Sequence, residues 1–189
     1  MSKPAHQVCY TFTEYLAIEE FSNVKHEFLA GQMYAMPGAT PEHAMLAASA
    51  SGALYGQLRG GLCRVADSDL RIRTGTGLAT YPDVTVVCGP SERDVEDRLA
   101  ATNPALIIEV LSDSTEEYDR GDKFAHYKSL PSLRQYLLVS HREHSVEVWT
   151  RDGDSWQRQV VREGEVAQLV IGANLDVREL YAAAAEPSE

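Results

Sequence analysis

The run from Ala105 to Leu111, Ala-Leu-Ile-Ile-Glu-Val-Leu, limits what this chain can fold into more than any other stretch. A short apolar run of this kind reads as a β-strand buried on both faces. It carries a single carboxylate, Glu109. An ionised carboxylate in such a place costs several kcal/mol unless a cation or a metal compensates it. Whatever fold the chain adopts must therefore supply Glu109 with a partner.

The flanking segments narrow the fold class. Thr11-Phe-Thr-Glu14 fits a capping box that opens a short helix reaching about Glu20. Lys25 to Ala30 reads as a helix or turn that passes into a hairpin arm, with Gln32 to Met36 alternating as a strand and Pro37-Gly38 ending it. Thr40-Pro41 supplies an N-cap and a first-turn proline for a helix to about Arg59, which Gly60-Gly61 stops. Leu62 to Ala66, Leu70 to Thr74 and Tyr81 to Cys88 read as strands, and Gly89 to Asn103 as a charged loop with room for one helical turn. Thr115 to Leu130 carries helical spacing up to Pro131, and Arg134 to Ser140 is again strand-like. Two alternating segments, Val146 to Thr150 and Trp156 to Val161, flank Asp152-Gly153 and predict a hairpin. Leu175 to Ala185 predicts a terminal helix and Glu186 to Glu189 a frayed tail.

A strand, a helix and a further strand around Thr115 to Leu130 imply a parallel pair with a right-handed crossover. The strands before it can pair antiparallel. The expected class is α/β: a mixed central sheet flanked by helices, with an added C-terminal β-hairpin. At 189 residues this suits one domain. Within it, residues 1–40 form an N-terminal helix and hairpin arm, 41–140 the core, and 141–185 the hairpin and terminal helix.

Composition excludes some classes of function. No apolar stretch approaches the roughly 20 residues of a membrane span, and the first ten residues lack the apolar core of a secretory signal. Cys9, Cys63 and Cys88 are odd in number and widely spaced, without a CxxC pair. That pattern argues against a disulfide scaffold or a zinc site and for a reducing, cytoplasmic setting. The net charge of −11 opposes long-range attraction to nucleic acid. It is unevenly spread, with −7 over Ser91 to Asp119 (nine acidic, two basic) and +3 over Arg120 to Arg134 (four basic, one acidic).

Three charged side chains carry the candidate chemistry. Asp83 follows Pro82 at the start of a strand, where a proline costs no ladder hydrogen bond. If its strand neighbours that of Glu109, the two carboxylates converge at one end of the sheet. Two convergent carboxylates and a few waters make a hard oxygen site suited to magnesium or manganese. Lys123 shares a helical stripe with Tyr127 and Leu130, at i, i+4 and i+7, and that stripe should face the sheet. An inward lysine there can orient an attacking water and offset phosphate charge.

Tyr81-Pro82-Asp83-Val84, Ile108-Glu109-Val110-Leu111-Ser112, and Asp119 to Lys123 with Tyr127 together resemble the Uma2 (DUF820) family. Lys25-His26-Glu27-Phe28-Leu29 with Gly31, His43 at a helix start, and Tyr136 to Val139 extend the likeness over most of the chain. The family belongs to the PD-(D/E)xK superfamily, so the resemblance implies a restriction-endonuclease-like fold. It also implies magnesium- or manganese-dependent hydrolysis of DNA phosphodiester bonds by an activated water. Asp83 and Glu109 would bind the metal, Lys123 would position the nucleophile, and Glu27 would assist. One position departs from the superfamily pattern: the lysine normally two residues beyond the acidic strand residue is Leu111 here. In Uma2-like chains a lysine on the next helix takes its place, and Lys123 matches it.

Each candidate has a plainer alternative. Glu109 can be half of a buried ion pair with Lys123, Arg71 or Arg73. Asp83 can be a turn residue, Glu27 a solvated helix-end glutamate, and Lys123 an exposed partner of Asp119. His43, Arg71 and Arg73 are candidates for phosphate contacts, although the arginines fit equally well as partners of Asp67 or Asp69. Tyr127 is either a core residue or a substrate contact. His141 and His144 fit a solvated turn, and Trp149 and Trp156 fit hairpin packing. Three functions follow: a metal-dependent deoxyribonuclease, a catalytically inactive nucleic-acid- or protein-binding module that kept the fold, and a hydrolase acting on RNA or another phosphoester. A small nuclease needs a second active site to cut both strands of a duplex, so the expected assembly of an active enzyme is a homodimer.

Overall fold

A computed structural model of the chain describes residues 8–36 and 38–185. The expected strand-ending Pro37 and the tail at 186–189 lie outside the described residues. Helix α1 (Phe12–Phe21) opens on Thr11 with the full capping box: the Thr11 hydroxyl accepts from the Glu14 amide, and the Glu14 carboxylate accepts from the Thr11 amide. Strands β1 (His26–Leu29) and β2 (Gln32–Ala35) form a hairpin. The helix alternative for Lys25 to Ala30 is thus corrected to a strand and a tight turn, with both Ala30 and Gly31 at positive φ. A β-carbon at Gly31 would collide with the Cys9 sulfur, so the turn also depends on glycine for space.

Helix α2 (Pro41–Leu58) follows its Thr40 cap, and the strands β3 (Cys63–Ala66), β4 (Arg71–Arg73), β5 (Ala79–Thr80) and β6 (Val84–Cys88) come next. The charged loop contains β7 (Ala100–Ala101) in place of a helical turn. The buried run is β8 (Pro104–Val110), and all seven of its residues are buried. Helical spacing over Thr115 to Leu130 is realised as two short pieces, α3 (Glu116–Arg120) and α4 (Asp122–Tyr127), broken at Gly121. Then come β9 (Gln135–Val139), β10 (Ser145–Asp152), β11 (Ser155–Arg162), β12 (Val166–Gln168), β13 (Asn174–Asp176) and α5 (Val177–Ala184).

The central sheet has the order β11-β10-β9-β8-β6-β3. β8 and β9 pair in parallel across the α3–α4 crossover, whereas β6–β8, β3–β6, β9–β10 and β10–β11 are antiparallel. The mixed sheet of the sequence expectation is therefore present, and the β10–β11 hairpin continues it. A second sheet, β2-β1-β5-β4-β7, carries the N-terminal hairpin, and β12 pairs with β13.

Alternation along β8 sorts its side chains between two layers. Leu106, Ile108 and Val110 join the cluster formed with Leu46, Ala50 and Leu54 of α2 and Leu180 of α5. Ile107 belongs to the opposite cluster, with Phe124, Tyr127 and Tyr136, against which Trp149 and Trp156 pack. Each large side chain buried in these layers contributes about 1.5–3 kcal/mol. Glu109 has the parity of Ile107, and this directs it toward α3 and α4.

One sequence expectation is overturned. Cys63 and Cys88 are disulfide-bonded, because β3 and β6 are antiparallel neighbours whose register sets these two residues directly opposite each other. Cys9 is the free, exposed cysteine. The cysteine pattern therefore no longer argues for a reducing compartment. The bond closes a loop with a sequence separation of 25. Replacing both cysteines by Ser is expected to cost about 3 kcal/mol, read as a lower urea midpoint without reductant; an unchanged midpoint would show that the bond contributes nothing.

Candidate active site

The end of the β6–β8 pair gathers the charged residues. Val84 pairs with Ile108, so Asp83 and Glu109 occupy the next rung. They are tied reciprocally: the Asp83 amide donates to Glu109 Oε2 at 3.3 Å, and the Val110 amide donates to Asp83 Oδ2 at 2.7 Å. Proline at 82 leaves Asp83 just outside the strand, free to turn its carboxylate back on the β8 backbone.

Glu109 Oε1 accepts from the Tyr127 hydroxyl at 2.7 Å and lies 2.9 Å from Lys123 Nζ. Lys123, itself buried, also lies 3.3 Å from Glu27 Oε1 and 3.4 Å from Asp119 Oδ1. Glu27 is buried on β1 and accepts from the Thr80 hydroxyl at 2.5 Å. Two strands distant in sequence, β1 and β8, and the neighbouring α3 thus converge on one ammonium. The break at Gly121 permits this by separating the turn that carries Asp119 from the turn that carries Lys123. A β-carbon at Gly121 would sit 3.0 Å from the Glu117 carbonyl oxygen.

The charge balance is unequal. Glu27, Glu109 and Asp119 share a single lysine, and Asp83, tied to β8, adds a fourth carboxylate against His43. Burial, helped by Asp119 and Asp83, pushes Glu109 up to about 8 against the opposing pull of Lys123. Burial also raises Asp119. For Lys123, burial disfavours the charged form, but Glu109, Glu27 and Asp119 outweigh it and hold the ammonium well above its ordinary value. The cluster therefore keeps a charged lysine and pushes Glu109 toward its protonated form.

His43, in the first turn of α2, places Nε2 3.3 Å from Asp83 Oδ2, and its hydrogen bond to Asp83 is the main influence raising its pKa. Its Nδ1 is buried without a hydrogen bond. Arg71 and Arg73 are not joined to the cluster by any contact among the described residues. Arg71 is buried, donating to Asp97 Oδ2 at 2.5 Å and to the Tyr81 hydroxyl at 2.8 Å. Arg73 bonds the Gly77 carbonyl and covers the Phe12 ring at 3.8 Å. Asp67 and Asp69, the alternative partners, pair with neither arginine; Asp69 pairs with Lys25.

The plainer expectations divide. Lys123 does pair with Asp119, but in the interior rather than at the surface. Trp149 and Trp156 pack on Phe124. His141 lies against Asp113 and His144 against Glu163, both away from the carboxylates. Sequence reasoning treated Asp119 only as a surface partner of Lys123 and overlooked Thr80. The i−4 spacing from Lys123 was the signal for Asp119; nothing local marks Thr80. A surface depression of about 850 Å³ lies at the far end of the sheet beside Leu62, Cys88, Ala105 and Arg134, and no carboxylate of the cluster lines it.

Residues 12–178 match the family model Uma2, described as "Putative restriction endonuclease". The chain belongs to the Uma2 family. Two proteins of Synechocystis sp. (strain ATCC 27184 / PCC 6803 / Kazusa) are similar to this Uma2 chain. Uncharacterized protein slr1290 is 42% identical over 142 residues, covering 75% of this chain and 74% of that protein. Uncharacterized protein sll1609 is 32% identical over 160 residues, covering 84% and 90% respectively. A crystal structure described as a putative nuclease belonging to DUF820, from Anabaena variabilis ATCC 29413, superposes with a TM-score of 0.76 at 17% identity. It covers 93% of this chain and 99% of that one. At that identity the likeness speaks for the fold, which is restriction-endonuclease-like, with the carboxylate cluster of this Uma2 chain at the end of its central strands.

Proposed function

We propose that this Uma2 protein is a metal-dependent endonuclease that hydrolyses DNA phosphodiester bonds by water attack. The observation that carries the reading is the excess of carboxylates over cations around the end of β6 and β8, where Glu27, Glu109 and Asp119 share Lys123 and Asp83 lies against His43. That imbalance is costly in a protein that never binds a cation and useful in one that does. Among the described residues no group of three or more His, Cys, Asp or Glu side chains is arranged to hold a metal ion. The donor set nevertheless fits magnesium or manganese, which are commonly held by one or two carboxylates with the remaining positions filled by water. Asp83 and Glu109 would be those ligands, and the Asp119 Oδ1 atom, buried without a hydrogen bond, lies against the same lysine.

Bound magnesium would supply a Lewis acid and a water of lowered pKa. The protein's own part is orientation. Lys123 holds a positive charge where phosphate oxygens would approach and aligns the attacking water. Glu27 and Asp119 fix that ammonium, and Tyr127 fixes Glu109. His43 holds Asp83 and would be the histidine to meet a phosphate oxygen there. The test is cleavage of DNA, RNA and a small phosphodiester with magnesium and with a chelator in its place. Magnesium-dependent loss of DNA alone supports the reading, and cleavage of RNA in preference to DNA redirects it to a ribonuclease. A cut in both strands would require a homodimer, which sedimentation with duplex bound would reveal. Such an enzyme would act in the cytoplasm, where the cell's DNA is accessible.

A second reading has an observation in its favour. Lys123 and Glu109 are both buried and 2.9 Å apart, so the lysine already neutralises the carboxylate. A catalytically inactive binding module would keep that pair closed and take up no metal.

The raised Glu109 value gives a pH dependence. Glu109 must lose its proton to ligate a metal, so affinity should rise about tenfold per pH unit up to about pH 8 and flatten above it. Manganese titrations at several pH values would show this. A flat profile below pH 8 would mean that Glu109 is not a ligand.

A further inference from the structure

The register of the N-terminal hairpin places one aromatic side chain beside the carboxylate cluster. Glu27 pairs directly with Tyr34, and Phe28 with Met33. Phe28 and Met33 turn into the aromatic cluster around Tyr15, so Glu27 and Tyr34 share the opposite face. Directly opposed residues have β-carbons about 4.5–5.5 Å apart. Glu27 is 7% exposed and reaches Lys123, whereas Tyr34 is 56% exposed and engages no hydrogen bond or ring contact among the described residues. A lone exposed tyrosine needs no explanation. A free aromatic face one rung from the ammonium assigned to the reacting phosphate does.

The surrounding charge indicates what such a face would bind. Lys123 is shared by three carboxylates. Arg120 is paired with Glu116 and Glu147, and Arg142 with Asp113 and Glu116. With these three cations engaged and a net charge of −11, attraction to the two phosphate backbones of a duplex is weak. Stacking on an aromatic ring is attractive without net charge and tolerates any base, but it needs a base released from its pair.

We propose that Tyr34 is a stacking platform for an unpaired base next to the phosphate held at the cluster, so that the substrate is single-stranded or locally melted nucleic acid. This rests on the reading of the cluster as a phosphodiester site. The test is equilibrium binding of a fluorescently labelled short oligothymidylate and of a blunt duplex, with calcium replacing magnesium to suppress cleavage. The parent protein should bind the single strand more tightly than the duplex. Tyr34→Ala should weaken the single strand about 5- to 100-fold, leave the duplex nearly unchanged and keep the thermal midpoint, and Tyr34→Trp should bind like the parent. Single-strand affinity unaltered by Tyr34→Ala, an equal loss on both probes, or no single-strand binding by the parent would each overturn the proposal. Failure of the nuclease reading looks different: the same binding pattern, with no cleavage when magnesium is restored.

Discussion

Asp83→Asn should reduce magnesium-dependent DNA cleavage by about 10³-fold or more while leaving the fold intact. The amide oxygen of asparagine can still accept from the Val110 amide, the 2.7 Å bond that ties residue 83 to β8. What disappears is the negative charge facing Glu109. A metal at such a site stabilises transition-state charge by several kcal/mol, and each ~1.4 kcal/mol is a factor of ten in rate. Losing a metal ligand therefore removes most of the catalysis, and losing one hydrogen bond would not. Initial rates on a nicking substrate, alongside urea unfolding of both proteins, separate the two. Parental cleavage by a fully folded Asp83→Asn protein would refute the assignment of Asp83 as a metal ligand.

Lys123→Met should have the largest effect on stability. It strands Glu27, Glu109 and Asp119 in the interior without their shared cation. Removing one partner from a buried ionic group costs about 3–5 kcal/mol. The loss should depend on pH in a definite sense. In the parent, the folded-state value of Glu109 is raised from 4.5 to about 8. Its stabilising contribution is thus fully present below the ordinary carboxylate range and is lost as pH rises through about 8. Lys123 is raised as well, so its contribution persists through neutral pH and is lost only in strong alkali. Without the ammonium the carboxylates hold their protons more firmly. The variant should therefore lose stability more steeply than the parent between about pH 5 and about pH 8. Unfolding by urea at both ends of that window measures it. An equal loss at both pH values would mean that the lysine does not neutralise the cluster.

Much of this arrangement was legible in the chain because it rests on local signals. The capping box at Thr11, the apolar run of β8 and the Pro82 that opens β6 fixed elements whose pairing brings Asp83 beside Glu109. The inward stripe of Lys123 and Tyr127 followed from spacing and parity, and both side chains reach Glu109. The misses arose where long-range register decides. Cys63 and Cys88 meet only because β3 and β6 pair in one particular register, which no local pattern reveals. Arg71 finds Asp97 in a charged loop whose path depends on the small β7 bridge. Glycine at 121 broke the α3–α4 segment without interrupting its helical spacing, and so concealed that Asp119 turns inward. Glu27 reaches the site from a different sheet. Only the family resemblance brought it into view.

The central claim is that the unequal charge at the end of β6 and β8 is a cation site. Calorimetric titration of manganese into the protein near pH 7, in two buffers of different ionisation enthalpy, tests it most directly. The account predicts saturable binding with release of a proton from the carboxylate cluster, and loss of that binding in Asp83→Asn. No uptake of manganese by the parent protein would contradict it, leaving Glu109 and Lys123 as a closed salt bridge in a module that only binds.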